Sequence, residues 1–338
     1  MSSRGAELAR KRSWIERVYA ASIDSAQGVI QATSDSVRSI RSLPSFFVIG
    51  PPRTGSTWLY EILRDRALLP APTKETRFFD THFHRGIDWY RSHFPTLPAN
   101  RRIGEIAPTY FASHEAVGRI ATLLPHAKIV CVFRNPAERV LSLYRLKRAY
   151  GLIPWTFEQA MVRDPEMVES SRYATNLKAW QRALGADQVM AAVYEDLRDD
   201  PQSFLDTVVD FIGIPRFQLT GSQVQCVHSS EVMTHPRSYH RTRRASTMAD
   251  WCKARKLDKL VAAVKNSPLR NLFLGGGPAF AELPQEVVVG LYKLFRPEVE
   301  NLESMLNRDL SAWKSLDERH LSSSTTLQMT RARDALTP

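Results

Sequence analysis

The 338-residue sequence is poor in cysteine and contains no long apolar run. Its three cysteines, Cys131, Cys226 and Cys252, are too few and too scattered for a disulfide framework or a zinc site. No stretch approaches the ~18 apolar residues of a membrane span. The N-terminus also lacks the roughly 7–15-residue apolar core of a secretory signal. We therefore expect a cytoplasmic protein with no stable membrane insertion.

Acidic residues are fewer than basic ones. The sequence has 46 lysines and arginines against 35 aspartates and glutamates, which gives a formal net charge of +11. This balance favours an anionic ligand, but it does not choose among a phosphorylated cofactor, an acidic glycan, a membrane surface and nucleic acid. Hydrophobic content of 43% and charged content of 24% are those of a soluble globular protein.

The loop over Gly50–Gly55 has the glycine spacing of a nucleotide P-loop but is not followed by its lysine. Phe46–Ile49 is predicted to be a buried strand, a glycine-bounded turn follows at Gly50–Gly55, and a helix begins near Ser56. Backbone N–H groups at such a helix start suit a phosphate or sulfate. The glycine spacing is that of a nucleotide P-loop, but Ser56 stands where that loop has lysine, and the cation is Arg53 instead. Such a loop is poorly equipped to hold the terminal phosphates of ATP or GTP.

A second anion site is predicted after the buried strand Lys128–Phe133. Arg134 follows this strand, and carboxyl ends of strands in open parallel sheets are where ligands bind. Asn135 fits as a helix N-cap, Pro136 as the first helical residue, and Glu138 as the residue that completes a capping box. Arg134 is therefore a candidate anion ligand.

Strand and helix patterns alternate along the chain. Further strands are predicted over 101–106 and 188–193, and further helices over 116–124, 173–184, 201–212 and 286–305. The alternation predicts an α/β, P-loop-like three-layer fold with a mostly parallel sheet covered by helices on both faces. We expect an N-terminal extension over 1–45, helical or partly disordered, a main domain over 46–314 and a polar tail over 315–338. Within the main domain, 216–284 is predicted to be a basic lid or substrate region, because basic residues cluster between 237 and 259.

Four segments resemble the PAPS-dependent sulfotransferase family, in particular its bacterial and heparan-type carbohydrate branch. PAPS is 3′-phosphoadenosine 5′-phosphosulfate, the activated sulfate donor. The segments are GPPRTGSTWL at 50–59, KETRFFD at 74–80, GEIAPTYF at 104–111 and CVFRNPAERVLSLY at 131–144. The resemblance implies PAPS as co-substrate, no required metal, and sulfuryl transfer to an acceptor hydroxyl or amine by in-line displacement.

The resemblance also implies roles for individual residues. The 5′-phosphosulfate is expected to bind Arg53, Thr54, Gly55, Ser56 and Thr57, and the 3′-phosphate to bind Arg134 and Ser142. Arginine suits a phosphate because its guanidinium is a fixed fork of donors.

Two residues are expected to carry the chemistry, Glu75 as general base and Arg53 as the cation at the leaving group. Histidine is the base in cytosolic small-molecule members, so His82, His84 and His93 remain alternatives. The family commonly has lysine where Arg53 stands, and arginine cannot act as a general acid there. Heparan-type members often have lysine at the position of Ile106, and its absence here weakens the case for a heparan-like polysaccharide as acceptor.

Two other classes compete with this interpretation. A P-loop kinase or NTPase would need the missing lysine and a magnesium-binding acid, and a non-enzymatic anion or nucleic-acid binder would leave Glu75 unexplained. We expect no nucleic-acid partner. The sequence does not identify the acceptor, which is a glycan, a glycolipid or a natural product, nor does it predict the oligomeric state.

Overall fold

A computed structural model describes residues 43–95, 101–228, 233–254, 257–265, 267 and 276–315. Four strands form the main sheet: β1 Phe46–Val48, β2 Gly104–Ile106, β3 Lys128–Phe133 and β4 Val189–Val193. A separate two-stranded sheet pairs β5 Thr234–Pro236 with β6 Gly276–Ala279 in antiparallel fashion. The predicted extension and tail lie outside the described residues, except for 43–45 and 315.

Helices connect and cover the strands. In the described residues they are α1 Ser56–Leu63, α2 Ile87–Arg91, α3 His114–Leu123, α4 Pro136–Ala149, α5 Phe157–Arg163, α6 Pro165–Glu169, α7 Tyr173–Leu184, α8 Tyr194–Asp199, α9 Pro201–Ile212, α10 Gly221–His228, α11 Tyr239–Ala254, α12 Asp258–Lys265 and α13 Gln285–Leu306. None of these described helices is long and apolar enough to cross a membrane.

The main sheet is parallel throughout, in the order β2-β1-β3-β4. Successive side chains of a strand point to opposite faces, so each buried strand supplies two cores. Phe47 of β1 packs into one core with α3, α7 and α13, whereas Phe46 and Val48 pack into the other with α1 and α9. The predicted three-layer α/β fold is confirmed.

Several predicted elements match closely. Strand β3 and helices α7 and α9 have the predicted bounds, and Cys131 is fully buried in β3 as expected of a core residue. Asn135 caps α4, since its side chain accepts from the backbone N–H groups of Ala137 and Glu138. The predicted capping box is wrong in its second half. Glu138 accepts instead from the Arg134 guanidinium, at 2.9 Å from Nη2, because that cation lies one helical turn before it.

The basic cluster between 237 and 259 contains the 16-residue helix α11. This helix is held to the end of α4 by polar contacts. Ser246 Oγ donates to the Tyr150 carbonyl at 2.7 Å, and Arg243 Nη1 donates to the Leu152 carbonyl at 3.0 Å. At Gly151 between them, an added Cβ would lie 2.9 Å from the Arg243 nitrogen. Hydrogen bonds to a helix end thus replace the apolar stripe that sequence patterns detect.

Candidate active site

The glycine-bounded loop leaves the carboxyl end of β1 and lies against β3. A Cβ on Gly50 would lie 2.5 Å from the Val132 backbone nitrogen, so only glycine fits this approach. Arg53 and Gly55 have φ of 80° and 90°, in the left-handed region. For Arg53 this conformation costs about 1–3 kcal/mol. Thr54 is buried, and its hydroxyl donates to the Pro51 carbonyl at 2.8 Å. The loop is therefore held in one shape before helix α1 begins.

A buried arginine holds the glycine-bounded loop in place by a hydrogen bond to its backbone. Arg139 of α4 is fully buried, and its Nη1 donates to the Pro52 carbonyl at 3.4 Å. The same guanidinium donates to Ser171 Oγ from Nε at 3.1 Å and to the Met167 carbonyl from Nη2 at 3.1 Å. Burial lowers the pKa of Arg139, yet arginine remains charged in proteins. The sequence analysis did not single out this residue, although it lies in the second motif.

The second motif begins at the carboxyl end of β3, next to β1 in the sheet. The Arg134 guanidinium pairs with Glu138, and its Cζ lies 5.0 Å from the centre of the Tyr194 ring. Tyr173 donates its hydroxyl to the Arg134 carbonyl at 2.9 Å. Backbone and side chain of Arg134 are therefore both held in place at this strand end.

A second hydrogen bond, besides that from Arg139 to the Pro52 carbonyl, joins the two predicted anion motifs. Arg53 Nε in the first loop donates to Ser142 Oγ on α4 at 2.9 Å, across 89 residues of sequence. Because β1 and β3 are neighbours and parallel, the segments that follow them meet at the same edge of the sheet. The structure thus brings together a loop, a helix start and the hydroxyl of a second helix.

Lys74 and Glu75 lie beside this loop. Lys74 Nζ is 3.5 Å from Ser56 Oγ and 3.4 Å from Thr57 Oγ1, both in the first turn of α1. The same nitrogen is 3.4 Å from Glu75 Oε1. Arg77, the other cation that flanks Glu75 in sequence, pairs with Asp80 at 3.2 Å. Burial is the largest cause that lowers the pKa of Lys74.

A buried carboxylate fixes the backbone next to Glu75. Glu105 on β2 is fully buried, and its Oε1 accepts from the Thr76 N–H at 2.8 Å and the Thr76 hydroxyl at 2.7 Å. Its Oε2 accepts from the Tyr90 hydroxyl at 2.8 Å, and Tyr110 donates to the carboxylate at 3.3 Å. Burial raises the pKa of Glu105 to about 7, although these donors oppose the shift. Local sequence patterns do not reveal Glu105, because its partners Thr76 and Tyr90 lie 29 and 15 residues away in the chain.

A family model for the sulfotransferase domain matches residues 43–268, which hold both anion motifs and Glu75. The chain belongs to the sulfotransferase family. It is 34% identical over 195 residues to bifunctional heparan sulfate N-deacetylase/N-sulfotransferase 1 of Mus musculus, covering 51% of this chain and 22% of that protein. It is 33% identical over 199 residues to bifunctional heparan sulfate N-deacetylase/N-sulfotransferase 2 of Bos taurus, covering 52% and 22%. The chain thus spans about a fifth of these relatives' length.

A solved structure supports the sulfotransferase fold. The crystal structure of a sulfotransferase from Alicyclobacillus acidocaldarius superposes with a TM-score of 0.58 and covers 81% of this chain and 99% of that one. The identity between the two is 19%, so this likeness concerns the fold alone.

The alternative bases of this sulfotransferase chain lie in a cluster of aromatic rings. His82 and His93 pack against Trp89, with ring centres 5.5 and 4.4 Å away. His84 lies 6.2 Å from His82 in an edge arrangement. Burial, together with nearby arginines, lowers the pKa of His82. Of the four candidate bases, Glu75 is the one joined through Lys74 to the first turn of α1.

Proposed function

We propose that this chain transfers the sulfuryl group of PAPS to a hydroxyl or amine of an acceptor by in-line displacement. The observation that carries the proposal is the hydrogen bond from Arg53 Nε to Ser142 Oγ. It unites a glycine-bounded anion loop with a second capped strand–helix junction, as a ligand with two separate anionic groups requires. Each strand end also has a fixed arginine, Arg53 in one and Arg134 in the other.

Donor binding is assigned to both motifs. In this proposal the 5′-phosphosulfate binds the backbone of five consecutive residues, Arg53, Thr54, Gly55, Ser56 and Thr57. It also binds the side chain of Arg53 and the hydroxyls of Ser56 and Thr57. Arg134 and Ser142 hold the 3′-phosphate. The glycine-bounded turn and the α1 start offer N–H groups that suit tetrahedral anions. Arg53 further stabilises the charge that develops on the leaving phosphate oxygen.

Glu75 is proposed as the general base. It accepts the proton of the acceptor while the acceptor attacks sulfur, and the electron pair of the breaking S–O bond moves to the phosphate oxygen. Its position beside α1 supports this role, since a base must be within reach of the proton that it abstracts. Glu105 holds the adjacent Thr76 and so fixes the backbone from which Glu75 projects.

The acceptor is proposed to be a glycan, with a glycolipid or natural product as the alternative. The relatives quoted above are named as heparan sulfate N-sulfotransferases, so a glucosamine amine is the first group to test. Ile106 stands where many heparan-type members have lysine, which favours an acceptor other than heparan itself. We further propose a bacterial, cytoplasmic enzyme that needs no metal and binds no nucleic acid.

Ligand-induced stabilisation tests the proposed class. Adenosine 3′,5′-bisphosphate at 100 times its Kd should stabilise the full chain by about 2.7 kcal/mol, because it binds the folded state alone. ATP with magnesium should stabilise a kinase instead, and duplex DNA a nucleic-acid binder. Radiolabelled PAPS with N-deacetylated heparan then tests transfer to an amine. A melting temperature that rises with ATP and magnesium but not with the bisphosphate would overturn the proposal.

A further inference from the structure

The loop of this chain lacks a proton donor. P-loops carry lysine where Ser56 stands, and the loop cation here is Arg53. Arginine stabilises an anion but does not release its proton in proteins. When the S–O bond of a phosphosulfate breaks, the leaving oxygen gains charge, and a nearby acid lowers the barrier by protonating it. The loop alone therefore supplies charge but no acid.

In the structure, Lys74 from another segment of the chain places an ammonium group at the first turn of α1. Lys74 Nζ lies 3.5 Å from the hydroxyl of Ser56, the very residue that replaces the P-loop lysine, and 3.4 Å from that of Thr57. Its side chain is 24% exposed and is therefore largely shielded from solvent. Lys74 thus faces the helix start where the phosphosulfate is proposed to bind.

The proposed base contacts the same ammonium group. Glu75 Oε1 is 3.4 Å from Lys74 Nζ, and Glu75 is 30% exposed. An ammonium group and a carboxylate are therefore adjacent in sequence and in contact. Lys74 and Glu75 are consecutive residues beside the first turn of α1, and Glu105 holds the next residue, Thr76, by hydrogen bonds.

We propose that Lys74 and Glu75 act as one acid–base pair, with Lys74 as a catalytic residue that protonates the leaving phosphate oxygen. This inference rests on the proposed sulfuryl transfer. The acceptor O–S or N–S bond forms while the S–O bond to phosphate breaks. Glu75 takes the acceptor proton, and Lys74 gives one proton to the phosphate oxygen. The protonated Glu75 then returns a proton to neutral Lys74 across their contact, so both groups regain their starting charge.

The charges around Lys74 agree with an acid of moderate strength. Burial is the largest cause that lowers its pKa, and Arg53 of the loop acts in the same direction. Glu75 and Glu61 of α1 raise it, and the Tyr60 ring centre lies 6.0 Å from Nζ. A lysine with a lowered pKa gives up its proton more readily than an exposed one, which is what a general acid near neutral pH requires.

Lys74→Arg separates proton donation from charge, because arginine keeps the cation but not the acid. We expect Lys74→Arg to lose ~100-fold or more in kcat, measured as hydrolysis of PAPS and as transfer to N-deacetylated heparan. The affinity for adenosine 3′,5′-bisphosphate should stay within about threefold. The alkaline limb of kcat/KM, where wild type loses the Lys74 proton, should vanish. Lys178→Met removes an exposed lysine of α7 as the matched control and should behave as wild type.

A second measurement needs no turnover. Calorimetry in buffers of different ionisation heats should show that wild type takes up a proton when it binds adenosine 3′,5′-bisphosphate on the alkaline limb of the kcat/KM profile, because the phosphate favours charged Lys74. Lys74→Arg should abolish this uptake. Unchanged proton uptake, or a Lys74→Arg enzyme with wild-type kcat, would overturn the acid assignment. Failure of wild type to bind the bisphosphate would instead overturn the proposed function itself.

Discussion

At the residue scale, two arginines at neighbouring strand ends differ in what holds them. Arg53 has a left-handed backbone and bonds to a hydroxyl, whereas Arg134 pairs with a carboxylate. A carboxylate partner orients a guanidinium while leaving some of its five donors for a ligand. Glu138 therefore orients the Arg134 guanidinium at this strand end, and in the proposed donor complex it would stand near the 3′-phosphate, at the cost of some repulsion between two anions. Tyr194, against the same guanidinium, limits its movement.

The first prediction concerns Arg134 as the ligand of the 3′-phosphate. Arg134→Ala should weaken adenosine 3′,5′-bisphosphate by about 2–4 kcal/mol, because a charged phosphate loses its fork donor. Adenosine 5′-phosphosulfate, which lacks the 3′-phosphate, should bind nearly as well as to wild type. Isothermal titration with both ligands measures this difference. Equal losses for the two ligands would show that Arg134 supports the fold rather than the phosphate.

The second prediction concerns Glu75 as the base. Glu75→Gln preserves shape but removes the proton acceptor, so turnover should fall ~100–10,000-fold. Affinity for adenosine 3′,5′-bisphosphate should change little, because the donor is bound by other residues. Steady-state kinetics with PAPS, beside single alanine variants of His82, His84 and His93, measures this. If Glu75→Gln stays active while one histidine variant is inactive, that histidine is the base.

At the element scale, strand β2 carries a charge-bearing side chain into the core. Glu105 is 0% exposed, and four donors from Thr76, Tyr90 and Tyr110 surround it. These donors make ionisation tolerable, but burial still raises its pKa to about 7 from an ordinary 4.5. Between those two pH values the folded state binds the proton and the unfolded state does not. The free energy of unfolding therefore falls as pH rises through this window.

Glu105→Gln removes this pH-dependent contribution. Near pH 5 the two proteins should differ little in melting temperature, because both side chains are neutral in the fold. Toward pH 8 the free energy of unfolding of the variant should rise relative to that of wild type, by an amount on the order of 2–3 kcal/mol. Thermal unfolding from pH 5 to pH 8 measures this difference. Parallel pH profiles for the two proteins would show that Glu105 does not ionise in this window.

Elements with apolar stripes were predictable from the sequence, and those held by polar contacts were not. The apolar pattern predicts one strand and two helices with the bounds that the structure shows, Lys128–Phe133, Tyr173–Leu184 and Pro201–Ile212. Helix α11 carries no such stripe, because carbonyls at the end of α4 hold it. Of the candidate site, the two anion motifs were predicted from local spacing, and Glu75 from the resemblance to the sulfotransferase family.

Lys74, Glu105 and Arg139 escaped the sequence analysis for one physical reason. Each acts through partners that are distant in the chain: Lys74 with α1, Glu105 with Thr76 and Tyr90, Arg139 with the Pro52 carbonyl. Local periodicity and motif spacing describe neighbours along the chain and not contacts across it. Lys74 was visible only as a cation next to Glu75.

At the scale of the whole molecule, the excess of basic residues is a surface property that bears on the acceptor. Part of it lies on α11, where Arg241 and Arg244 are exposed and share a helix face. Exposed charges attract an anionic ligand over distances that salt shortens, from a screening length of about 10 Å at 0.1 M to about 3 Å at 1 M. A polyanionic acceptor should therefore bind this face more weakly at high salt.

The double substitution Arg241→Glu with Arg244→Glu tests whether α11 belongs to the acceptor site, as predicted for 216–284. Because it reverses two exposed charges without touching the Arg243 contact to Leu152, the fold should be retained. With N-deacetylated heparan as acceptor at low salt, KM should rise about tenfold, which corresponds to about 1.4 kcal/mol. The difference should shrink at 0.5 M salt, while affinity for adenosine 3′,5′-bisphosphate stays unchanged, because the donor is held at the sheet edge. A KM equal to that of wild type at low salt would show that these arginines of α11 do not bind the acceptor. A comparable loss of affinity for adenosine 3′,5′-bisphosphate would instead show that they contribute to nucleotide binding.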